Sequence, residues 1–200
     1  MTTPSKSFII RPEHPSDTGP IEALAAEAFG PGRFAKTAYR LREGAEAIEP
    51  LCLVAELDGE LIGSIRLSAI MIGDSPALLL GPLVVRPAEK GRGYGIALMQ
   101  TALDRARELG HRLVILVGDL PYYSRVGFGH VPFGRVKLPG PVDPRRLLYL
   151  ELAEGAFDGV SGEARAASLA PLAEPGPREG GEQQEKPENS AHDRKRMNAV

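Results

Sequence analysis

"VVRPAEKGRGYGIALM", residues Val84 to Met99, decides how this chain reads. A short apolar run ends at Pro87, and glycines follow at positions 91, 93 and 95 with Lys90 and Arg92 among them. Beyond the glycines, Leu98, Met99, Ala102, Leu103, Ala106 and Leu109 recur at helical spacing. Gln100, Asp104, Arg105, Arg107 and Glu108 fall on the other side, and Gly110 supplies a stop. This pattern predicts a helix over 96–109. The next run, "RLVILVG", is uncharged beyond its arginine and rich in β-branched residues, as a buried strand is. Leu78 to Gly118 therefore reads strand, glycine loop, helix, strand: a parallel pair joined by a right-handed crossover.

A loop of this kind suits an anion. Glycines let backbone amides approach a ligand without a Cβ in the way. The helix starts at once, so its unpaired amides and positive dipole end face the loop. Lys90 and Arg92 add charge at the rim. The dinucleotide fingerprint requires G-x-G-x-x-G and an acid about 20 residues on, and neither is present. The P-loop requires Lys-Ser/Thr after its glycines, which is missing as well. A plain tight turn between strand and helix is the bland alternative.

Gly81-Pro82 sits inside what reads as a central strand. Proline cannot donate to a ladder, so it marks a bulge or an edge. A bulge just before the loop would push this strand away from its parallel neighbour. The slot so opened would take a long, thin ligand with a pyrophosphate at one end.

Together these features resemble the acyl-CoA signature of the GNAT superfamily of N-acetyltransferases, R/Q-x-x-G-x-G/A. Here it reads Lys90-Gly91-Arg92-Gly93-Tyr94-Gly95, with Lys in place of Arg or Gln at the first position. A second stretch, "VGDLPYYSRVGF", resembles the closing motif of that family and is most like its YhbS-like subgroup. In element order the likeness runs from about Ser7 to Val160. It implies an α/β (α+β) GNAT fold: a mixed central sheet with splayed parallel central strands and helices on both faces.

The resemblance also implies the chemistry. Acetyl-CoA would be the co-substrate, with no metal. The strand Leu83, Val84, Val85 would face the pantetheine arm, through the amides of Leu83 and Val85. Lys90, Gly91, Arg92, Gly93, Tyr94, Gly95 and Ile96 would hold the pyrophosphate, and Asp119 would lie beside the ligand near the thioester. Tyr123 takes the position of the catalytic tyrosine, which donates to the thiolate expelled by the tetrahedral adduct. Tyr122 is its neighbour. The expected reaction is acetyl transfer to a primary amine by direct attack in a ternary complex. A CoA-binding sensor without catalysis is the alternative. The strand 77–85 carries no carboxylate to serve as base. Asp119, Glu49 and Glu56 are the remaining candidates.

The rest of the chain sets bounds. Among its 200 residues, 42% are hydrophobic and the net charge is -2, so a core is expected and a nucleic-acid footprint is not. No run suits a membrane span, and "MTTPSKSFII" lacks the pattern of a secretory signal, so a cytoplasmic protein is expected. The acceptor is expected to be a small-molecule or peptide amine, and a homodimer is left open. Cys52, the single cysteine, reads as a core thiol. Ser124 has no His and Asp at readable spacing, and His14, His111, His130 and His192 read as structural. Arg135, Lys137, Arg145 and Arg146 read as surface charge.

Ser7–Arg11 predicts a strand. Asp17 or Thr18 predicts the cap of a helix running to Phe29. "FAKTAYRLREGA" predicts a second short helix with Tyr39 and Leu41 inward. Asp58-Gly59 between apolar runs predicts a hairpin, and further strands are expected at 131–138 and in "RLLYLEL". The domain is expected to span 1–165. The Pro/Gly/Glu-rich stretch 166–200 reads as a disordered tail, with Arg194, Lys195 and Arg196 near its end.

Overall fold

The computed structural model describes residues 7–30, 41 and 44–167. The chain divides into units 1–169 and 170–200, and the second lies outside the described residues, as does the predicted disordered tail from residue 168 on. The predicted second helix also lies outside them, apart from Leu41, which is buried.

Strand β1 (Phe8–Pro12) leads through a short 3-10 turn into helix α1 (Thr18–Phe29). Strands β2 (Leu53–Leu57) and β3 (Glu60–Ile72) form the expected hairpin. Asp58 and Gly59 both have positive φ, 52° and 82°, the geometry of the primed turn whose twist matches the flanking strands. Strand β4 (Ser75–Val85) is followed by the glycine loop, helix α2 (Tyr94–Glu108) and strand β5 (Leu113–Val117). A four-residue helix, α3 (Leu120–Tyr123), precedes β6 (Gly129–His130), β7 (Val136–Lys137), β8 (Leu147–Glu151) and β9 (Gly162–Ala166). The predicted domain end at 165 falls inside β9, and the Ala167 amide still bonds the Ala69 carbonyl at 3.1 Å.

The sheet runs β1-β2-β3-β4-β5-β8-β6, with β9 pairing the far end of β3 and also β7. All pairs are antiparallel except β4 with β5 and β7 with β9. Side chains alternate between two cores. Leu53, Ala55 and Leu57 of β2 and Val114 and Leu116 of β5 meet α2 on one face. Ile70, Ile72, Leu79, Leu113 and Ile115 fill the other. Helix α2 presents Leu98, Met99, Ala102, Leu103 and Ala106 to the first core, each at most 2% exposed. Burying each leucine contributes roughly 1.5–3 kcal/mol, so this stripe fixes where α2 begins and hence where the loop lies. Its end is closed as predicted: Gly110 takes φ 80°, its amide bonds Arg107 O, and the His111 amide bonds Ala106 O.

Helix α1 lies over β3 and β4 on the opposite face, so helices flank both sides of the sheet. Asp17 stands at its N-cap, but its carboxylate does not cap the helix. It takes two hydrogen bonds from the Arg11 guanidinium, at 2.7 and 2.9 Å, and one from the His14 amide at 2.8 Å. Arg11 also pairs with Glu56 of β2, which ties α1 to the sheet. The Arg11 hydrogen bonds hold the buried Asp17 carboxyl down to about 2. Its stabilisation is complete above the ordinary carboxylate range and is lost as pH falls from about 4 toward 2. We expect the urea midpoint of the wild type to drop across that interval. Asp17→Asn should be less stable at neutral pH and flatter across the interval. Parallel acid curves for the two proteins would contradict this.

Candidate active site

The site begins with one surplus residue in β4. Leu80 pairs with Leu67 and Leu83 with Ile65, so Gly81 and Pro82 together oppose Arg66. The Gly81–Pro82 peptide is cis. The bulge reverses the side-chain phase: Leu78 and Leu80 face α2 before it, and Leu83 packs on that same core after it. Pairing with β5 ends at the same place. Only Leu78 with Val114 and Leu79 with Ile115 are in register, although β4 runs on to Val85 and β5 to Val117. The other edge of β5 stays paired with β8 along its whole length. The two central strands thus part on the loop side of the bulge.

Register shows which groups face the gap. The Arg86 amide donates to Ile62 O at 2.7 Å. By the alternation of an antiparallel ladder, Val84 also bonds toward β3, opposite Ser64. The N–H and C=O groups of Leu83 and Val85 therefore point away from β3, into the opening beside β5.

A cleft of about 390 Å³ continues this opening. It is lined by Leu83 and Val85 of β4, by Lys90, Gly91, Gly93, Tyr94, Gly95 and Ile96 of the loop and helix start, and by Tyr122, Tyr123 and Arg125. Gly91 and Gly93 have φ of 81° and 92°, so the chain turns there with its amides bare. The first bond inside α2 runs from the Ala97 amide to Gly93 O. Among the described residues, the amides from Gly91 to Ile96 have no backbone acceptor, a row of six donors at a helix start.

The tyrosines each rest on a glycine. A Cβ on Gly118 would lie 2.1 Å from Tyr123 Cε2, so that ring covers the end of β5. A Cβ on Gly95 would lie 2.3 Å from Tyr122 Oη, so that hydroxyl covers the start of α2. Tyr123 also meets Phe128 edge-on, with centroids 6.0 Å apart. Burial, reinforced by Tyr122 and Asp119, pushes the Tyr123 hydroxyl up to about 12.

The matching regions of known proteins agree with this architecture. Residues 20–128 match the family model described as "Acetyltransferase (GNAT) family". The chain belongs to the GNAT family, the acyl-CoA-dependent N-acyltransferases. It is 32% identical to an Escherichia coli K12 protein described as the uncharacterized N-acetyltransferase YhbS, over 78% of this chain and 93% of that one. The crystal structure of E. coli YhbS in complex with CoA matches with TM-score 0.71 and 29% identity, covering 84% of this chain and 93% of that one. A Brucella melitensis GNAT acetyltransferase in complex with acetyl-CoA matches at TM-score 0.53 and 33% identity, covering 76% and 99%.

Within this GNAT frame, four placements differ from expectation. Val84 is buried and turns its backbone to β3, away from the cleft. The Lys90 amide already donates to Pro87 O at 3.3 Å, so the row of free donors starts at Gly91 and runs to Ile96. The Arg92 side chain lies outside the lining and stands 3.3 Å from Glu89 Oε2. Asp119 sits at the N-cap of α3, largely exposed, and accepts from Arg146 Nε at 3.1 Å rather than lining the cleft. Of the other carboxylates considered as base, Glu56 is held by Arg11 and Glu49 is exposed, and neither lines the cleft.

Glu89 was not singled out in the sequence, yet it is the one carboxylate in the cleft wall among the described residues. Its Oε2 is buried without a hydrogen bond, because the neighbouring Arg92 guanidinium is off line. An acid inside a glycine loop gives no local pattern to read. A second hollow of about 490 Å³ lies by α1, and its arginines are engaged: Arg11 with Asp17 and Glu56, Arg86 with Glu60. The basic residues at 135, 145 and 146 are likewise engaged, Arg135 with the Val160 and Phe157 carbonyls and the others with Asp143 and Asp119. Desolvation raises Cys52 to about 11, which suits an inert core thiol. No group of three metal-ligating side chains occurs among the described residues, nor a helix long and apolar enough to cross a membrane.

Gly118→Ala tests the seat of Tyr123. The new methyl must displace the ring, an overpacking that costs about 1–3 kcal/mol. We expect a fall of several degrees in melting temperature; an unchanged value would contradict the contact.

Proposed function

We propose that this protein transfers the acetyl group of acetyl-CoA to a primary amine, of a small molecule or a peptide, by direct attack in a ternary complex. The observation that carries this reading is the coincidence of two unpaired backbone rows. The amides of Gly91 to Ile96 suit a diphosphate. The outward groups of Leu83 and Val85 suit an amide-bearing arm that pairs as a further strand would. CoA joins those two chemistries in one molecule, and the CoA and acetyl-CoA complexes of the similar proteins support the assignment.

The amine nitrogen attacks the thioester carbonyl, and collapse of the adduct breaks the C–S bond. Tyr123 then donates its O–H to the developing thiolate. Its hydroxyl stays protonated up to about pH 12, far above a thiol near 8.5. The donation is therefore a strong hydrogen bond to sulfur, completed by a proton entering from solvent. The amine proton leaves to water, since no carboxylate but Glu89 of the loop lines the cleft among the described residues. Positioning supplies most of the acceleration. A covalent enzyme intermediate is not invoked, because Cys52 is buried with its thiol held protonated.

Thiol release with acetyl-CoA across a panel of amines tests the reading. Tyr123→Phe should lower kcat about a hundredfold or more and leave CoA affinity unchanged. The wild-type rate should climb with pH, with a logarithmic slope of about 1 below the amine pKa. Tyr123, pushed up to about 12, should add no alkaline fall near the ordinary tyrosine value of about 10. CoA at about 100 times its Kd should add roughly 2.7 kcal/mol of stability, and NAD or ATP should not. CoA binding with silence across the panel, and no difference between wild type and Tyr123→Phe, would favour a CoA-binding sensor instead.

A further inference from the structure

The motif leaves Tyr122 as a mere neighbour of Tyr123, but the two side chains occupy different seats. Tyr123 lies on Gly118 at the end of β5, where the strands part. Tyr122 lies on Gly95, with its hydroxyl against the first turn of α2 and its rim of free amides. That hydroxyl has no hydrogen-bond partner among the described residues, although its ring is half-buried. Burial favours its neutral form, so it is a donor in need of an acceptor. Arg125, three residues on, lines the same cleft and has no ion pair among the described residues. Its charge reaches the Tyr122 hydroxyl. Beside the free amides at the start of α2, then, stands one unused O–H, and in the same cleft wall one guanidinium without an ion pair among the described residues.

We infer that Tyr122 and Arg125 add side-chain donors beside the amide row at the start of α2 and hold the phosphates of the cofactor together with the loop. This rests on the CoA reading above. The loop amides hold the anion, Tyr122 donates to a phosphate oxygen from its seat on Gly95, and Arg125 adds charge. The adjacent tyrosines so divide the work: Tyr122 binds, and Tyr123 serves the sulfur. Arg92 fits this seat less well, since it stands outside the lining beside Glu89.

Calorimetric titration with CoA and steady-state kinetics with acetyl-CoA test the assignment on wild type, Tyr122→Phe, Arg125→Gln and Tyr123→Phe. A hydrogen bond to a charged group is worth about tenfold to a hundredfold. Tyr122→Phe should raise the CoA Kd and the acetyl-CoA KM by about that factor and leave kcat near wild type. Arg125→Gln should raise Kd and flatten its dependence on NaCl between about 50 and 500 mM, where screening acts on exposed charge. Tyr123→Phe should do the reverse, lowering kcat with Kd unchanged. A packing role for Tyr122 would lower the melting temperature without moving Kd, and that result overturns the inference. So does a loss of kcat alone in Tyr122→Phe, which would move it into the chemistry. Tyr122→Phe and Arg125→Gln that both bind CoA as tightly as wild type sink this inference only. Wild type that does not bind CoA sinks the functional reading with it.

Discussion

The surplus residue at Gly81-Pro82 is the constraint on which the rest depends. Without it β4 would continue in register with both neighbours, and the groups of Leu83 and Val85 would pair with β5. With it, a parallel pair in the middle of the sheet stops after two residues on each strand. Unpaired backbone in a sheet interior is costly unless something else bonds it. The protein carries that cost in one place, between the bulge and the glycine loop, and keeps β5 fully paired on its other edge. The opening is therefore a built slot and not a frayed end.

The electrostatics follow the same plan. The loop offers amides, α3 and the turn after it offer a tyrosine hydroxyl and an arginine, and Glu89 is the one acid in the cleft wall among the described residues. Burial does two jobs nearby. It keeps Tyr123 protonated across the physiological range, and it keeps Cys52 from competing as a nucleophile. On the other face, the Arg11, Asp17 and Glu56 cluster bonds internally and holds α1 to the sheet. Charges that look alike in sequence thus differ by whether their partners lie within the chain.

Local patterns with a strong physical cause were legible. Asp58-Gly59 announced its turn because both positions take positive φ. The stripe from Leu98 to Ala106 announced α2, and Gly110 its end. The start of α2 was read two residues late, because Tyr94 and Gly95 carry no periodic signal. The stretch 131–138 shrank to a two-residue strand at Val136–Lys137, its pairing being set by β9 far along the chain. The exposed, partnered state of Asp119 depends on Arg146, and the loss of the Lys90 donor depends on a 3-10 turn at Pro87–Glu89. Neither is visible in a linear motif. The seat of Tyr122 over Gly95 was equally hidden, since it joins residues on different elements.

The most direct test is amide hydrogen exchange at Leu83 and Val85, followed residue by residue with and without CoA. In the free protein both amides should exchange fast while Val84, bonded toward β3, stays protected. Addition of CoA should slow Leu83 and Val85 and leave Val84 as it was. Slow exchange of all three before CoA is added would mean that the strands are joined and the slot is absent.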